Sequence, residues 1–229
     1  MNQESRPVAV VTGASRGAGK GIALALGGRG YTVYVTGRSE RAGDAPLPGT
    51  IHDTAAEIDR LGGHGIAVSC DHGDDAQVRA LFERIAREQD GRLDILVNNA
   101  CAIPDELVQP GGFWEKPLSL LSLLNVGMRS NYVASYYAAP LMVARRSGLI
   151  VHTSSFGGTC YMHGPAYGAG KAAVDKMAHD MGVELRAHNV AVVSIWMGLL
   201  KTERTDVALS DPELARHYEH LLETMENPQ

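Results

Sequence analysis

The 229-residue sequence lacks the features that mark several specialised classes of protein. No apolar run approaches the roughly 18 residues of a membrane-spanning helix, and no long basic run accompanies the formal net charge of −5. The three cysteines are an odd count without metal-ligand spacing, and the nine histidines show no ligand pairing. We therefore expect a cytoplasmic protein with reduced thiols, without a metal site and without a membrane or nucleic-acid partner.

The composition predicts one domain. Hydrophobic residues make up 45% of the chain, which is enough to bury a sizeable core. No internal repeat, low-complexity segment or domain boundary divides the sequence, so residues 1–229 are expected to form a single domain. Glu4 and Arg6 stand directly before the first strand-like run, so no signal peptide is expected.

Short apolar, β-branched runs alternate with longer helical stretches along the chain. The runs predict strands over residues 8–11, 31–35, 66–70, 93–97, 148–153 and 190–196, and the longest predicted helices cover 118–146 and 165–188. Repeated strand–helix units of this length predict an α/β fold, a doubly wound parallel sheet with helices on both faces.

A glycine-rich loop gives the cofactor signal. Gly13, Gly17 and Gly19 follow the first strand and open a helix, with Ser15 and Arg16 in the same loop. Glycines here let the backbone turn tightly and approach a pyrophosphate at the helix N-terminus. The pattern predicts a Rossmann-type dinucleotide site; the alternative is a turn that only needs positive φ angles.

The end of the second strand indicates which dinucleotide binds. An NAD site usually has an acidic residue there, whereas this sequence has Arg38, and Arg16 adds a second cation. Two arginines suit a 2′-phosphate, which a carboxylate would repel. NADP is therefore favoured over NAD; the alternative is that these arginines are solvated surface residues.

The stretch over residues 148–186 carries the candidate reaction chemistry. A buried strand leads into Ser154 and Ser155, and a following helix carries Tyr167 and Lys171 one turn apart on one face. A serine, a tyrosine and a lysine brought together can do proton chemistry on a carbonyl or an alcohol. The alternative is a surface tyrosine and lysine on an ordinary helix.

These motifs, in this order, resemble the classical short-chain dehydrogenase/reductase family, closest to its member 1 branch. The resemblance covers residues 8–203 and rests on Thr12–Gly19, Asn98–Ala100, Ser155, Tyr167 and Lys171. It implies an NADP-dependent oxidoreductase that interconverts a small-molecule carbonyl compound and its alcohol by hydride transfer.

The family implies roles for the matching residues of the reaction site. Tyr167 would be the general acid or base, with a pKa lowered by Lys171 and an oxidised nicotinamide ring. Lys171 would also hold the nicotinamide ribose. Ser155 or Ser154 would bond the substrate oxygen, and Ser155 is favoured because it lies twelve residues before the tyrosine.

An asparagine on the preceding helix would hold a proton-relay water. Asn125 fits the family motif better than Asn131; the alternative is an exposed helical asparagine. The gap from Asn125 to the serine is longer than usual, which predicts a local distortion of the helix.

The remaining matches concern the cofactor. Asp71 would contact the adenine, unless it only caps a helix, and His72 beside it is expected to face solvent. Asn99 would help order the central strands and the adenosine ribose. Thr202 would bind the nicotinamide carboxamide.

Some positions depart from the family pattern. Cys101 stands where glycine is usual, and Met197-Gly198 stands where Pro-Gly is usual. The sequence stops before the usual seventh strand, and residues 211–225 read as one helix. The sixth strand is therefore expected to be a sheet edge although its run reads as buried on both faces.

These departures leave alternatives open. A homo-oligomer is expected, and without a seventh strand either its dimer is built on the two long helices or the protein has reduced solubility. The competing hypothesis for function is a non-catalytic dinucleotide-binding relative with an incomplete substrate pocket, and a purely structural protein is a third. The substrate stays open because its walls would come from residues 101–116 and the region after Gly198.

Overall fold

The structure, a computed structural model, describes residues 6–198, 200–210 and 212. Its sheet has six parallel strands in the order β3-β2-β1-β4-β5-β6. The strands are β1 (Val8–Val11), β2 (Thr32–Gly37), β3 (His64–Ser69), β4 (Ile95–Asn98), β5 (Gly148–Ser154) and β6 (Val190–Trp196). The predicted doubly wound parallel sheet is confirmed.

Helices connect the strands and are positioned by local signals. They are α1 (Gly17–Gly27), α2 (Ile51–Arg60), α3 (Asp75–Glu88), α4 (Ser122–Leu124), α5 (Ser130–Arg145), α6 (Pro165–Leu185) and α7 (Glu203–Ser210). The Thr50 hydroxyl caps α2 by accepting from the Asp53 amide, and the Asp74 carboxylate caps α3. Pro165 begins α6, where a missing N–H costs nothing.

The two faces of the sheet bury separate apolar cores. Side chains of α3 and α5 pack on one face, and side chains of α1 and α2 pack on the other. The central strand β1 serves both, since Val8 and Val10 belong to the first core and Val11 to the second. The carboxyl ends of β1 and β4, where the strand order reverses, therefore lie in a rigid frame.

The helix predicted over residues 118–146 is broken, as its unusual spacing suggested. A 3-10 turn (Leu118–Leu121) and α4 precede residues 125–129, where Val126 (φ −111°, ψ 93°) and Gly127 (φ 144°, ψ −29°) leave helical geometry. The Ala102 amide donates to the Val126 carbonyl at 2.7 Å. A side chain at Gly127 would begin 2.9 Å from the Cys101 sulfur, so the break makes room for Cys101.

The prediction that β6 is buried on both faces is wrong. Val193 and Ile195 are 41% and 45% exposed. The partly buried Val192 points the other way, towards the first core, and Gly182 of α6 lies against it. Within the described residues, β6 pairs with β5 alone, so it is the edge strand of this sheet.

Some predictions concern the outer surface and the C-terminal segment. Among the described residues, no helix combines the length and apolar character needed to cross a membrane. Tyr132 and Tyr136 of α5 and Val183 of α6 are exposed, and a homo-oligomer built on these helices stays a prediction. The helix predicted over residues 211–225 lies, apart from residue 212, outside the described residues.

Candidate active site

The glycine loop is clamped to the end of β4. Gly13 and Gly17 have φ of +64° and +58°, and a side chain at Gly19 would begin 2.4 Å from the Gly13 carbonyl oxygen. Asn99 Nδ2 donates to the carbonyls of Thr12 at 2.9 Å and Gly13 at 3.1 Å. Asn99 thereby holds the glycine loop against the carboxyl end of β4, and its predicted role at the adenosine ribose stays a prediction.

Thr12, which the sequence reasoning treated only as part of a motif, is the centre of this clamp. Its hydroxyl accepts from the amides of Asn99 at 2.8 Å and Ala100 at 2.9 Å. The same hydroxyl donates to the Val97 carbonyl at 3.2 Å. A threonine at the end of a strand and before a glycine was the available signal.

The start of α1 has the donors that a phosphate needs. The Gly17 amide donates to the Glu203 carboxylate at 2.8 Å, so this N–H already binds an anionic oxygen. Negative groups are favoured at a helix N-terminus by its exposed amides and its dipole. The close backbone packing at Gly19 leaves no side chain in the way. The loop therefore fits the diphosphate of a dinucleotide.

The predicted 2′-phosphate arginines differ in how they are engaged. Arg16 donates to the carbonyls of Pro48 at 2.9 Å and Gly49 at 2.8 Å, and to the Ser39 hydroxyl at 2.9 Å. It therefore holds the loop after β2. Arg38 has a side chain that is 74% exposed, with Asp71 3.5 Å away. Arg38 is the freer cation, and Ser39 is a buried neighbour that the sequence reasoning missed.

Ser15 and Asp71 shape the backbone around these cations. Ser15 is buried, and a side chain at Gly49 would begin 2.5 Å from its carbonyl oxygen. Asp71 accepts from the Gly73 amide at 2.8 Å, while Asp74 caps the following helix. The capping alternative for Asp71 therefore does not describe its contacts.

The expectation that His72 faces solvent is wrong. Its side chain is buried, and its Nε2 lies 2.8 Å from the Thr36 hydroxyl of β2. Burial lowers the pKa of His72 to about 4, although the nearby Asp71 opposes the shift. Thr36 supplies a long-range partner that the polar sequence around His72 did not indicate.

The structure brings Ser155, Tyr167 and Lys171 together. Ser155 follows β5, and its hydroxyl lies 3.0 Å from the Tyr167 hydroxyl on the first turn of α6. The Lys171 ammonium lies 5.7 Å from the Tyr167 ring centroid and donates to the Thr153 carbonyl at 3.1 Å. Ser154 instead points its hydroxyl at the Lys171 carbonyl, 3.5 Å away, so Ser155 is the serine that faces the tyrosine.

The pKa of Tyr167 is governed mainly by burial of its phenol. Burial raises the pKa of Tyr167 above its ordinary value, the Ser155 hydrogen bond lowers it and nearby Cys101 raises it. The lowering of this pKa by Lys171 together with an oxidised nicotinamide ring stays a prediction. The Lys171 hydrogen bond goes to a backbone carbonyl of β5, and burial of the phenol dominates.

Asn125 is not brought into contact with this group through its side chain. The residue is exposed, and its side-chain Nδ2 lies 3.7 Å from where a side chain on Gly73 would begin. Asn131 is buried and donates to the Gly127 carbonyl at 2.9 Å, so it fixes the helix break. A small pocket beside the break is lined by Cys101, Leu123, Gly127, Ala166, Tyr167, Gly170 and Lys171.

Thr202 lies at the start of α7, a helix that the sequence did not predict. Its hydroxyl accepts from the Thr205 amide at 3.3 Å, and its methyl group lies 3.9 Å from where a side chain on Gly17 would begin. Thr202 is therefore next to the glycine loop.

No group of three or more potential metal ligands occurs among residues 6–198, 200–210 and 212.

Asp175 of α6 was also missed, although it joins the helix to β6. Its carboxylate accepts from the Ser194 hydroxyl and, at 3.0 Å, from the Trp196 indole N–H. Asp175 lies one turn beyond Lys171, so these bonds fix the end of β6 relative to the Tyr167 helix.

Comparison with known proteins assigns the chain to a family. The family model described as short chain dehydrogenase matches residues 7–213. That match covers most of the chain, and the chain belongs to this family of oxidoreductases.

Comparison with individual relatives shows which branch of the family the chain resembles. Dehydrogenase/reductase SDR family member 1 of mouse is 48% identical over 199 residues, which are 86% of this chain and 61% of that protein. The chain thus spans less than two thirds of the length of that relative. The 3-oxoacyl-acyl-carrier-protein reductase of Staphylococcus aureus is 32% identical over 206 residues, 89% of this chain and 78% of that protein. The resemblance to the member 1 branch is confirmed.

Solved structures agree with the fold. A short-chain type dehydrogenase/reductase from Mycobacterium marinum has a TM-score of 0.75 and 30% identity, covering 87% of this chain and 75% of that chain. A metagenomic short-chain oxidoreductase solved in complex with NADP has a TM-score of 0.74 and 30% identity, covering 84% and 82%.

Proposed function

We propose that the protein is an NADP-dependent oxidoreductase that interconverts a carbonyl compound and its alcohol. The observation that carries the proposal is the 3.0 Å contact between the hydroxyls of Ser155 and Tyr167, with Lys171 one helical turn away. This group follows β5, while the clamped glycine loop follows β1 on the same edge of the sheet. The NADP complex of a structural relative supports the choice of cofactor.

Each residue has a defined task in this proposal. Bound NADP(H) supplies or accepts the hydride. Ser155 orients the substrate oxygen through a hydrogen bond, and Tyr167 gives that oxygen a proton or removes one, depending on direction. Tyr167 is protonated at neutral pH, because even the ordinary pKa of a tyrosine lies near 10, and this is the form that can protonate a carbonyl. Asn125 stays a prediction as the holder of a relay water.

Residues around the strand order reversal would hold the cofactor. The glycine loop and the start of α1 would bind the diphosphate, because their amides point out of a helix N-terminus. Arg38 would bind the 2′-phosphate as the exposed cation at the end of β2. The full set is Gly13, Ser15, Arg16, Gly17, Gly19, Arg38, Asp71, Asn99, Tyr167, Lys171 and Thr202.

Removing the Tyr167 hydroxyl tests the reaction. Tyr167→Phe should leave NADPH binding nearly intact, because the other cofactor-binding residues remain, and should lose about 10²–10⁴ in turnover of a carbonyl panel, as expected for losing a positioned acid. Tyr161→Phe is the matched control, because Tyr161 is 89% exposed in the loop before α6. Full activity of Tyr167→Phe would refute the assignment. Wild-type NADPH binding without turnover of any carbonyl or alcohol would favour a non-catalytic dinucleotide-binding protein.

Reversing the charge at Arg38 tests the cofactor. Arg38→Asp should weaken NADPH binding by about 1.5–3 kcal/mol through the lost charge-assisted bonds, and NADH binding far less. Arg29→Asp carries the same charge change at the other end of α1, and it should alter neither affinity. Equal losses for NADPH and NADH in a binding titration would contradict the proposed 2′-phosphate site.

A further inference from the structure

The carboxylate of Glu203 lies at the start of α1. The Gly17 amide donates to it at 2.8 Å across 186 residues of sequence. Helix α1 offers no acid of its own there, because its N-cap residue Arg16 makes no side-chain cap and its first turn contains no acidic residue. The anion at this helix end therefore comes from α7.

Two arginines, Arg16 and Arg204, lie in the neighbourhood of this carboxylate. Burial lowers the pKa of Arg16, the negative charge of Glu203 raises it and the positive charge of Arg204 lowers it. Arg16 therefore interacts electrostatically with both residues. Arg204 also reaches Asp105, 3.7 Å away, in the loop after β4. The start of α7 thus contacts both sides of the crevice, α1 through Glu203 and the β4 loop through Arg204.

A compact cap delivers Glu203 to this place. Thr205 is buried, and its hydroxyl accepts from the Thr202 amide at 2.6 Å. The same hydroxyl lies 3.0 Å from the Leu200 carbonyl and 2.9 Å from the Thr202 carbonyl. These bonds fix the first turn of α7 as a unit, so Glu203 projects from an ordered helix start.

Glu203 and the cofactor diphosphate would use the same donor. The proposed function places the diphosphate at the start of α1, where the Gly17 amide is one of the donors, and one N–H cannot serve both anions. A carboxylate left beside a diphosphate would also repel it. We propose that Glu203 is a tethered competitor of the cofactor diphosphate, and that it must leave the Gly17 amide before NADP(H) binds. This inference rests on the proposed function.

The proposal predicts that removing the charge tightens cofactor binding. A hydrogen bond to a charged group adds enough to favour the self-bound state. The apparent affinity for the cofactor is then the intrinsic affinity multiplied by the fraction of protein in which Glu203 has left the amide. We expect Glu203→Gln and Glu203→Ala to bind NADPH roughly tenfold more tightly than the wild type. Inorganic pyrophosphate should show the same gain, because it needs only the shared amide site.

The control is a charge change on the same helix that touches no part of the crevice. Asp206→Asn also removes one carboxylate from the first turn of α7, but Asp206 is exposed. Its NADPH affinity should equal that of the wild type. Glu203→Asp keeps the charge on a shorter side chain and should retain part of the competition.

Fluorescence titration of NADPH with these variants, alongside pyrophosphate titration by calorimetry, decides the matter. Tighter binding by both neutral Glu203 variants, with Asp206→Asn unchanged, supports the competitor. Equal or weaker NADPH binding by Glu203→Gln overturns it and leaves the proposed function standing, since NADPH still binds. If neither the wild type nor the variants bind NADPH, the proposed function fails and the competitor is overturned with it.

Discussion

Strands β1 and β6 begin with the same four residues and have different surroundings. Val8–Val11 and Val190–Val193 both read Val-Ala-Val-Val. Every residue of β1 is 0% exposed, whereas Val193 in β6 is 41% exposed. β1 pairs with β2 and β4 and packs between two cores, while β6 pairs with β5 and packs α6 on one face. Identical side chains therefore differ in burial because of their place in the sheet.

A buried charge should produce the largest contrast between the strands. Val10→Asp would place an unpaired carboxylate in the first core and should cost more than about 4 kcal/mol, enough to prevent folding. Val193→Asp should cost within about 1 kcal/mol, because this carboxylate reaches water. Soluble expression and urea unfolding measure both. An equally damaging Val193→Asp would mean that this face of β6 is covered in solution.

Truncation to alanine gives a smaller contrast without a charge. Val10→Ala should lower the free energy of unfolding by about 1–3 kcal/mol, since it leaves a cavity between packed neighbours. Val193→Ala should change it by no more than about 0.5 kcal/mol. Thermal and urea unfolding of the two variants provide the comparison. Equal losses at both positions would remove the distinction between the central and the edge strand.

Two buried histidines test whether water is excluded equally from the interior near β1 and from the interior near β6. His72 contacts β2, which neighbours β1, and His152 lies in β5, which neighbours β6. Burial lowers the pKa of each histidine to about 4; the charge of Asp71 opposes the shift at His72, and that of Asp175 opposes it at His152. A pKa below the unfolded value of about 6.5 means that the unfolded chain binds more protons. Stability is then full above about pH 6.5 and falls as the pH drops towards 4.

Between pH 7 and pH 5, proton uptake by each histidine in the unfolded chain should lower the free energy of unfolding by up to about 2 kcal/mol. His72→Leu and His152→Leu should each remove their own share of that loss, which urea unfolding at the two pH values measures. If His152→Leu removes less of the pH-dependent loss of stability than His72→Leu does, water enters from the β6 side. No change in the pH dependence for either variant would contradict the burial of both rings.

Much of the fold and part of the site follow from local pattern. The β-branched runs and the caps at Thr50 and Asp74 set most elements within a few residues of the prediction. The long gap after Asn125 predicted a local distortion of the helix, because extra residues must leave the helical repeat, and the structure has its break at Val126 and Gly127. The spacing of Tyr167 and Lys171 placed them on one face, since residues four apart are neighbours on a helix.

Other features depended on contacts between distant parts of the chain. The burial of His72 needed Thr36, and the raised pKa of Tyr167 followed from packing rather than from the nearby lysine. The Asn125 side-chain amide lies near Gly73, which is distant in the sequence. None of these outcomes is encoded in a short window of sequence.

The sequence by itself determined the alternation of strand and helix, the glycine loop and the order of the reaction-site motifs. These properties arise from backbone preferences and side-chain periodicity over neighbouring residues. Only the tertiary structure decided that one Val-Ala-Val-Val run is buried and the other half exposed, and that Glu203 meets Gly17. Burial and charge pairing depend on which distant elements pack together, and a strand carries no local record of its neighbours.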